Sequence, residues 1–100
     1  MSITSSLSND QLTVIIKVAG RFDFSTHQDF VQTYKGFSKG EKTYVVDLTG
    51  AEYMDSSAMG MLLRLREYNR PGENVVLSNS NEAVNDVLQI AKFDKLFTIK

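Results

Sequence analysis

The sequence contains no cysteine and only one histidine in its 100 residues. The absence of cysteine excludes disulfide scaffolds, thiolate zinc sites and thiol catalysis, and it agrees with a reducing cytoplasm. A lone histidine, His27, does not provide a metal-ligand cluster, so neither a metal nor a cofactor is expected. Because the formal net charge is −1 and no run of Lys or Arg occurs, nucleic acid is not expected as a partner.

Long apolar runs are missing as well. The longest, at positions 58–63, is far too short to cross a bilayer. The N-terminal residues lack the basic and apolar segments of a secretory signal, so we expect a cytoplasmic protein with no membrane association. The apolar content of 42% allows one globular core, and we expect a single domain over residues 1–100 that is monomeric when free.

Hydrophobic periodicity predicts alternating strands and helices after an initial hairpin. Gly20 is predicted to end the second strand, and Ser25 with Gln28 to form a capping box for the first helix. The short run 44–49 is typical of a strand buried on both faces of a parallel sheet, and a loop, 50–54, should follow it. The order ββαβαβαβ predicts an α/β domain with a mixed, mostly parallel sheet packed against helices. The predicted strands are 2–7, 11–19, 44–49, 74–77 and 97–99, and the predicted helices are 25–38, 56–69 (stopped by residues 70–72) and one that begins after 79–81.

The segment Tyr53-Met-Asp-Ser-Ser-Ala-Met-Gly60 is the most informative part of the chain. It should place the hydroxyl of Ser56 at the start of a helix, on the surface and beside the carboxylate of Asp55. Such a position suits the addition and removal of a phosphate better than it suits a core. No G-x-S-x-G or G-x-x-x-x-G-K-[ST] motif is present, so the sequence indicates a binding module and not an enzyme.

Each of these residues also has a purely structural interpretation. Ser56 could be a helix N-cap, while Asp55 could be the cap itself or could orient the acceptor hydroxyl, and a mixed role is favoured. Asp23 could cap the corner 20–25. Gly60 could allow close packing of the helix on the sheet or contact a partner. Met59 could lie in the core or face outward.

With this order of elements, the sequence resembles the STAS domain family, and within it the anti-sigma factor antagonists. Gly20-Arg-Phe-Asp23 is similar to the G-x-[LF]-D corner of the family. Val46-Asp-Leu48 followed by residues 53–60 resembles the strand, loop and D-S-[ST]-[GA]-[LM]-G phosphorylation motif, with Ala58 where many members have glycine. Residues 79–97 correspond to the third helix and last strand.

The resemblance implies that Ser56 is the phosphoacceptor, with Ser57 as the alternative. It implies as partners an anti-sigma factor that is also a serine kinase with a histidine-kinase-like ATPase fold, and a metal-dependent serine phosphatase. The unphosphorylated protein would bind the kinase and release its client. The alternative function is a STAS scaffold or regulatory subunit that binds a transporter ATPase or another signalling enzyme without phosphorylation. The residues expected to bind the partner are Asp23, Asp55, Ser56, Ser57, Met59 and Gly60.

Overall fold

A computed structural model describes residues 2–38, 40–69 and 75–100, and these residues form one mixed sheet with three α-helices. Short 3-10 turns at Phe24–Thr26 and Phe93–Lys95 precede the first helix and the last strand. The strands are β1 (Ser2–Leu7), β2 (Thr13–Phe22), β3 (Thr43–Met54), β4 (Val75–Ser78) and β5 (Thr98–Ile99), and the helices are α1 (His27–Gln32), α2 (Ser56–Tyr68) and α3 (Glu82–Ile90).

The strands lie side by side in sequence order. β1 is antiparallel to β2, and β2, β3, β4 and β5 are parallel to one another. The predicted class and element order are therefore confirmed. The predicted stop of the second helix at residues 70–72 lies outside the described residues, as does Asn74.

The core lies on one face of the sheet. Alternate side chains of β3, namely Tyr44, Val46 and Leu48, are fully buried, and they join buried residues of all three α-helices in one cluster. Val45 and Asp47 point to the other face and are only half-buried. The prediction that this strand is buried on both faces is therefore wrong, because the helices cover only one of them.

β2 and β3 are both longer than the sequence predicts. Gly20 does not end β2; it adopts φ 83, which favours glycine, at a shift in register, and the strand continues to Phe22. The predicted loop 50–54 instead completes β3, in register with the end of β2, so that Phe22 pairs with Met54. Both strands therefore end side by side, and the residues that follow them leave the same edge of the sheet.

The first helix is shorter than predicted and begins differently. Ser25 lies inside the 3-10 turn and is not the N-cap of α1, because Asp23 caps that turn by accepting from the Ser25 amide at 3.0 Å. α1 begins only at His27. It ends at Gln32, where the Thr33 hydroxyl donates to the Phe30 carbonyl at 2.6 Å. Such local hydrogen bonds compete with a regular helix.

Candidate functional site

Asp55 begins the second helix. It has extended backbone angles (φ −125, ψ −172), and its Oδ1 accepts a hydrogen bond from the Ala58 amide at 3.1 Å. This is the geometry of a helix N-cap, in which a side-chain oxygen satisfies an otherwise unpaired backbone donor. The capping part of the role predicted for Asp55 is therefore confirmed, and Ser56 is the first helical residue rather than the cap.

The two serines after Asp55 have different environments. Ser56 is exposed, and within the described part of the chain its hydroxyl makes no hydrogen bond. Ser57 is half-buried, and its hydroxyl donates to Asp55 Oδ1 at 2.6 Å. Asp55 therefore orients the hydroxyl of Ser57 and not that of Ser56. The Ser56 hydroxyl is left open to an incoming group.

Asp23 forms a similar corner at the end of β2. Its Oδ1 accepts hydrogen bonds from the amide of Ser25 at 3.0 Å and from the hydroxyl of Ser25 at 2.5 Å. The capping role that the sequence allowed for Asp23 is thus observed. Because Phe22 and Met54 are paired, Asp23 and Asp55 each follow one member of the same cross-strand pair. The fold therefore brings together two residues that are 32 positions apart in the sequence.

Both carboxylates are held in the ionised form. The hydrogen bond from the Ser57 hydroxyl lowers the pKa of Asp55, and the Ala58 amide lowers it further. For Asp23, the hydrogen bond from the Ser25 hydroxyl is the main cause of a lowered pKa, and Arg21 adds to it. The charge of Asp23 acts in the opposite direction on Asp55 and raises its pKa. The corner therefore carries two negative charges at neutral pH, and they repel each other.

The structure separates the two interpretations of Gly60. Gly60 is half-exposed, and a Cβ built on it would meet nothing within 4 Å. Close packing of α2 on the sheet therefore does not explain a glycine here. Met59 is half-buried and packs against the core, whereas Met54 and Met61 are buried. A role of Gly60 and Met59 in binding a partner stays a prediction.

Two groups beside the corner were missed from the sequence. Arg21 pairs with Tyr53 across the strands and places its guanidinium carbon 3.9 Å from the centre of the Tyr53 ring. Phe24 is 69% exposed and stacks on His27 with ring centroids 5.3 Å apart. The only signal in the sequence was a large apolar residue, Phe24, inside a polar corner. The Arg21–Tyr53 contact depends on a register that the sequence does not reveal.

The described residues contain no group of three or more metal-ligating side chains. What the corner offers is an exposed hydroxyl on a capped helix N-terminus, flanked by carboxylates and by exposed aromatic rings. These groups can accept a covalent group on Ser56 and can contact another protein.

The fold and this corner define a class of protein, the small α/β domains of the SpoIIAA-like fold. The family model described as Mlab, STAS domain, matches residues 5–98. The chain therefore belongs to the STAS domain family, as the resemblance implied.

Known proteins agree with this assignment. The chain is 45% identical over 101 residues to a STAS-domain containing protein of Pseudomonas aeruginosa (strain UCBPP-PA14), with 99% of each chain covered. Its structure is similar to that of an anti-sigma factor antagonist from Mycobacterium paratuberculosis, with a TM-score of 0.78, 19% identity, and 98% of this chain and 85% of that chain covered. It is also similar to the anti-sigma factor antagonist SpoIIAA in its unphosphorylated form, with a TM-score of 0.69, 15% identity, and coverages of 99% and 87%.

Among the residues that the structure describes, no helix combines the length and the apolar character needed to cross a membrane.

Proposed function

We propose that this protein is an anti-sigma factor antagonist whose binding to a partner is switched by phosphorylation of Ser56. The observation that carries the proposal is the state of the Ser56 hydroxyl, which is exposed and unbonded on the first residue of α2. Asp55 caps the helix and Ser57 is bonded to Asp55, so Ser56 is the one hydroxyl of the motif that has no structural task. The alternative acceptor, Ser57, would have to break its bond to Asp55 first.

The partner of the unphosphorylated form is an anti-sigma factor that also acts as a serine kinase with a histidine-kinase-like ATPase fold. Binding of this domain releases the client that the kinase sequesters, and a metal-dependent serine phosphatase resets the switch. The similarity to SpoIIAA supports this scheme, because that protein is known in an unphosphorylated and a phosphorylated form. The proposed contact residues are Asp23, Asp55, Ser56, Ser57, Met59 and Gly60.

A phosphate at this position would act on the interface. It adds about −1.5 to −2 charges at neutral pH and takes the formal charge of the domain from −1 to about −3. In a docked complex this dianion would lose water next to Asp23 and Asp55, which are already ionised. A penalty of about 3–4 kcal/mol would weaken binding more than a hundredfold.

The proposed function requires no catalysis by this chain. His27 stacks on Phe24 at the start of α1, and among the described residues no contact joins it to Ser56. In the proposed scheme the domain is a substrate and ligand of its partners in the cytoplasm, monomeric when free, without nucleic acid or membrane as a partner.

The proposal can be tested by mapping and binding. Phosphopeptides are mapped by mass spectrometry from cells, and the kinase is recovered with Ser56→Ala and Ser56→Asp as baits. We expect phosphate on Ser56, recovery by Ser56→Ala, and loss of recovery with Ser56→Asp. Ser6→Asp is the matched control, because it adds the same charge at an exposed serine of β1 that pairs with Ile15, near the opposite end of β2, and it should recover the kinase as the parent chain does. If Ser56→Ala and Ser56→Asp recover the same partners equally, the phosphorylation-independent role as a scaffold or a transporter ATPase subunit is favoured instead.

A further inference from the structure

One cation, Arg21, is paired with a carboxylate of the candidate site, that of Asp23. Arg21 donates from Nε to Asp23 Oδ2 at 3.3 Å while its guanidinium lies over the ring of Tyr53. These two contacts, with Asp23 and with Tyr53, fix the direction of the Arg21 side chain. A guanidinium has five N–H donors, and only the one on Nε has a partner among the described residues. The group is therefore oriented, and its remaining donors, on a side chain that is 61% exposed, are open to a further acceptor.

The ion pair does not need to be retained for stability. The side chains of Arg21 and Asp23 are 61% and 21% exposed, and exposed pairs of this kind contribute little to folding. Arginine binds phosphate better than a single carboxylate, because its planar fork can donate two parallel hydrogen bonds to phosphate oxygens. A phosphate nearby would therefore compete with Asp23 for Arg21.

Ser56 lies within reach of this group. Tyr53, the cross-strand partner of Arg21, is three residues before Ser56, so the chain between them spans at most about 10 Å. Adjacent strands are separated by about 4.8 Å. The charge of Asp23, the ion-pair partner of Arg21, also raises the pKa of Asp55, the residue next to Ser56. These spacings allow the Arg21 side chain, which extends past the strand end toward Asp23, to reach a phosphate on Ser56.

We propose that Arg21 binds the phosphate of phosphorylated Ser56, exchanging Asp23 for the phosphate. This inference rests on the proposed function, since it concerns the modified form of Ser56. Arg21 is then a positioning residue, which fixes the phosphate and frees the carboxylate of Asp23. Phosphorylation would change the surface at the end of β2 as well as at the start of α2, so that the partner meets two altered strand ends.

The test uses the full chain with phosphoserine placed at position 56 during translation, so no kinase is needed. The second ionisation of the phosphoserine, with a pKa of about 6, is followed by phosphorus NMR. We expect Arg21→Gln to raise this pKa by about 0.3–0.7 units, the size of an exposed ion pair. Arg64→Gln removes the same charge from the exposed Arg64, about 12 Å along α2 from Ser56, and should shift the pKa much less.

The exchange itself is tested with Asp23→Asn. Removing this competitor frees Arg21 for the phosphate, so Arg21→Gln should have a larger effect in the Asp23→Asn background than in the parent chain. His27 also lies near the corner, where it stacks on Phe24. His27→Gln should leave the difference between Arg21 and Arg21→Gln unchanged.

Equal shifts for Arg21→Gln and Arg64→Gln would overturn the assignment of Arg21, and additive effects of the Arg21 and Asp23 changes would overturn the exchange. A shift for His27→Gln as large as that for Arg21→Gln would assign the contact to His27 instead. These results are independent of the proposed function. If cells never phosphorylate Ser56, mass spectrometry shows this, while the titration still reports whether Arg21 contacts an installed phosphate.

Discussion

Ser56 and Ser57 should differ sharply when each is replaced by alanine. The Ser57 hydroxyl donates to the ionised Asp55 at 2.6 Å and is half-buried, whereas the Ser56 hydroxyl is exposed and unbonded. A hydrogen bond of this type contributes about 0.5–1.5 kcal/mol, or more when one partner is charged. The higher helix propensity of alanine returns up to about 0.5 kcal/mol. We therefore expect Ser57→Ala to lower the free energy of unfolding by about 1 kcal/mol, and Ser56→Ala to change it by less than about 0.5 kcal/mol.

An added negative charge at Ser56 should also leave the fold intact. The first turn of a helix favours an anion by about 0.3–1 kcal/mol. Repulsion from Asp55, at a separation of about 4 Å in a water-like dielectric, costs about 1 kcal/mol. Because these contributions have opposite signs and similar size, Ser56→Asp should unfold within about 1 kcal/mol of the parent chain.

Urea denaturation followed by circular dichroism measures these differences. With a slope of about 1–2 kcal/mol per molar urea, a loss of 1 kcal/mol moves the midpoint by about 0.5–1 M. A greater destabilisation by Ser56→Ala than by Ser57→Ala would contradict these expectations, because Ser56 would then cap α2 in solution. Loss of the helical signal in Ser56→Asp would contradict them as well, since the switch would then act on folding and not on the interface.

Three further predictions follow from single residues. Asp55→Ala should lower the free energy of unfolding by about 1 kcal/mol and Asp55→Asn by less, because asparagine can still cap. Because hydrogen bonds in the folded state lower the pKa of Asp55 below its ordinary value of 3.8, the ionised Asp55 stabilises the fold above pH 3.8, and this stabilisation is lost as the pH falls through the pKa of the folded state. The free energies of unfolding of the parent chain and of Asp55→Asn should therefore converge in acid, and a constant difference down to pH 2 would contradict this. Burial raises the pKa of Tyr44 to about 12, so the parent chain should lose stability above about pH 10, and Tyr44→Phe should lose less. Because the Tyr44 hydroxyl has no partner among the described residues, Tyr44→Phe should be no less stable than the parent chain at pH 7. An unchanged alkaline melt would refute that assignment. Gly60→Ala should raise the free energy of unfolding by about 1 kcal/mol, since a Cβ there meets nothing within 4 Å, and destabilisation in thermal melts would contradict this. The same variant should capture the kinase more weakly if Gly60 contacts it.

The predicted elements whose local and tertiary preferences agree were correct. The alternation in β2 and the apolar stripe of α2, with Ala58, Met61, Leu62 and Leu65 buried, fixed the type of element and its face. The third helix begins where expected, because the Asn81 side chain accepts from the Val84 amide at 2.8 Å. These signals lie within a few residues of one another, which is why a single sequence contains them.

The errors fall where a distant strand decides the conformation. Residues 50–54 contain glycine and polar residues and are locally typical of a loop. They form a strand because they pair with the end of β2, which buries Ala51 and Met54. The error at Gly20 has the same cause. In the sequence alone this glycine indicates a turn, but next to β3 it allows a bulge within β2. The position of the candidate site depends on both errors, since the corner exists only because β2 and β3 end together.

The two strand ends repeat one geometry with different contents. In each, an aspartate accepts a hydrogen bond from the hydroxyl of the serine two residues later, Ser25 after Asp23 and Ser57 after Asp55. The residue between them is exposed in both cases, and it is Phe24 after β2 and Ser56 after β3. A capped corner needs neither of these side chains for its own stability. The fold can therefore present an apolar ring and a free hydroxyl side by side, and a phosphate on one would change what a protein docked on the other encounters.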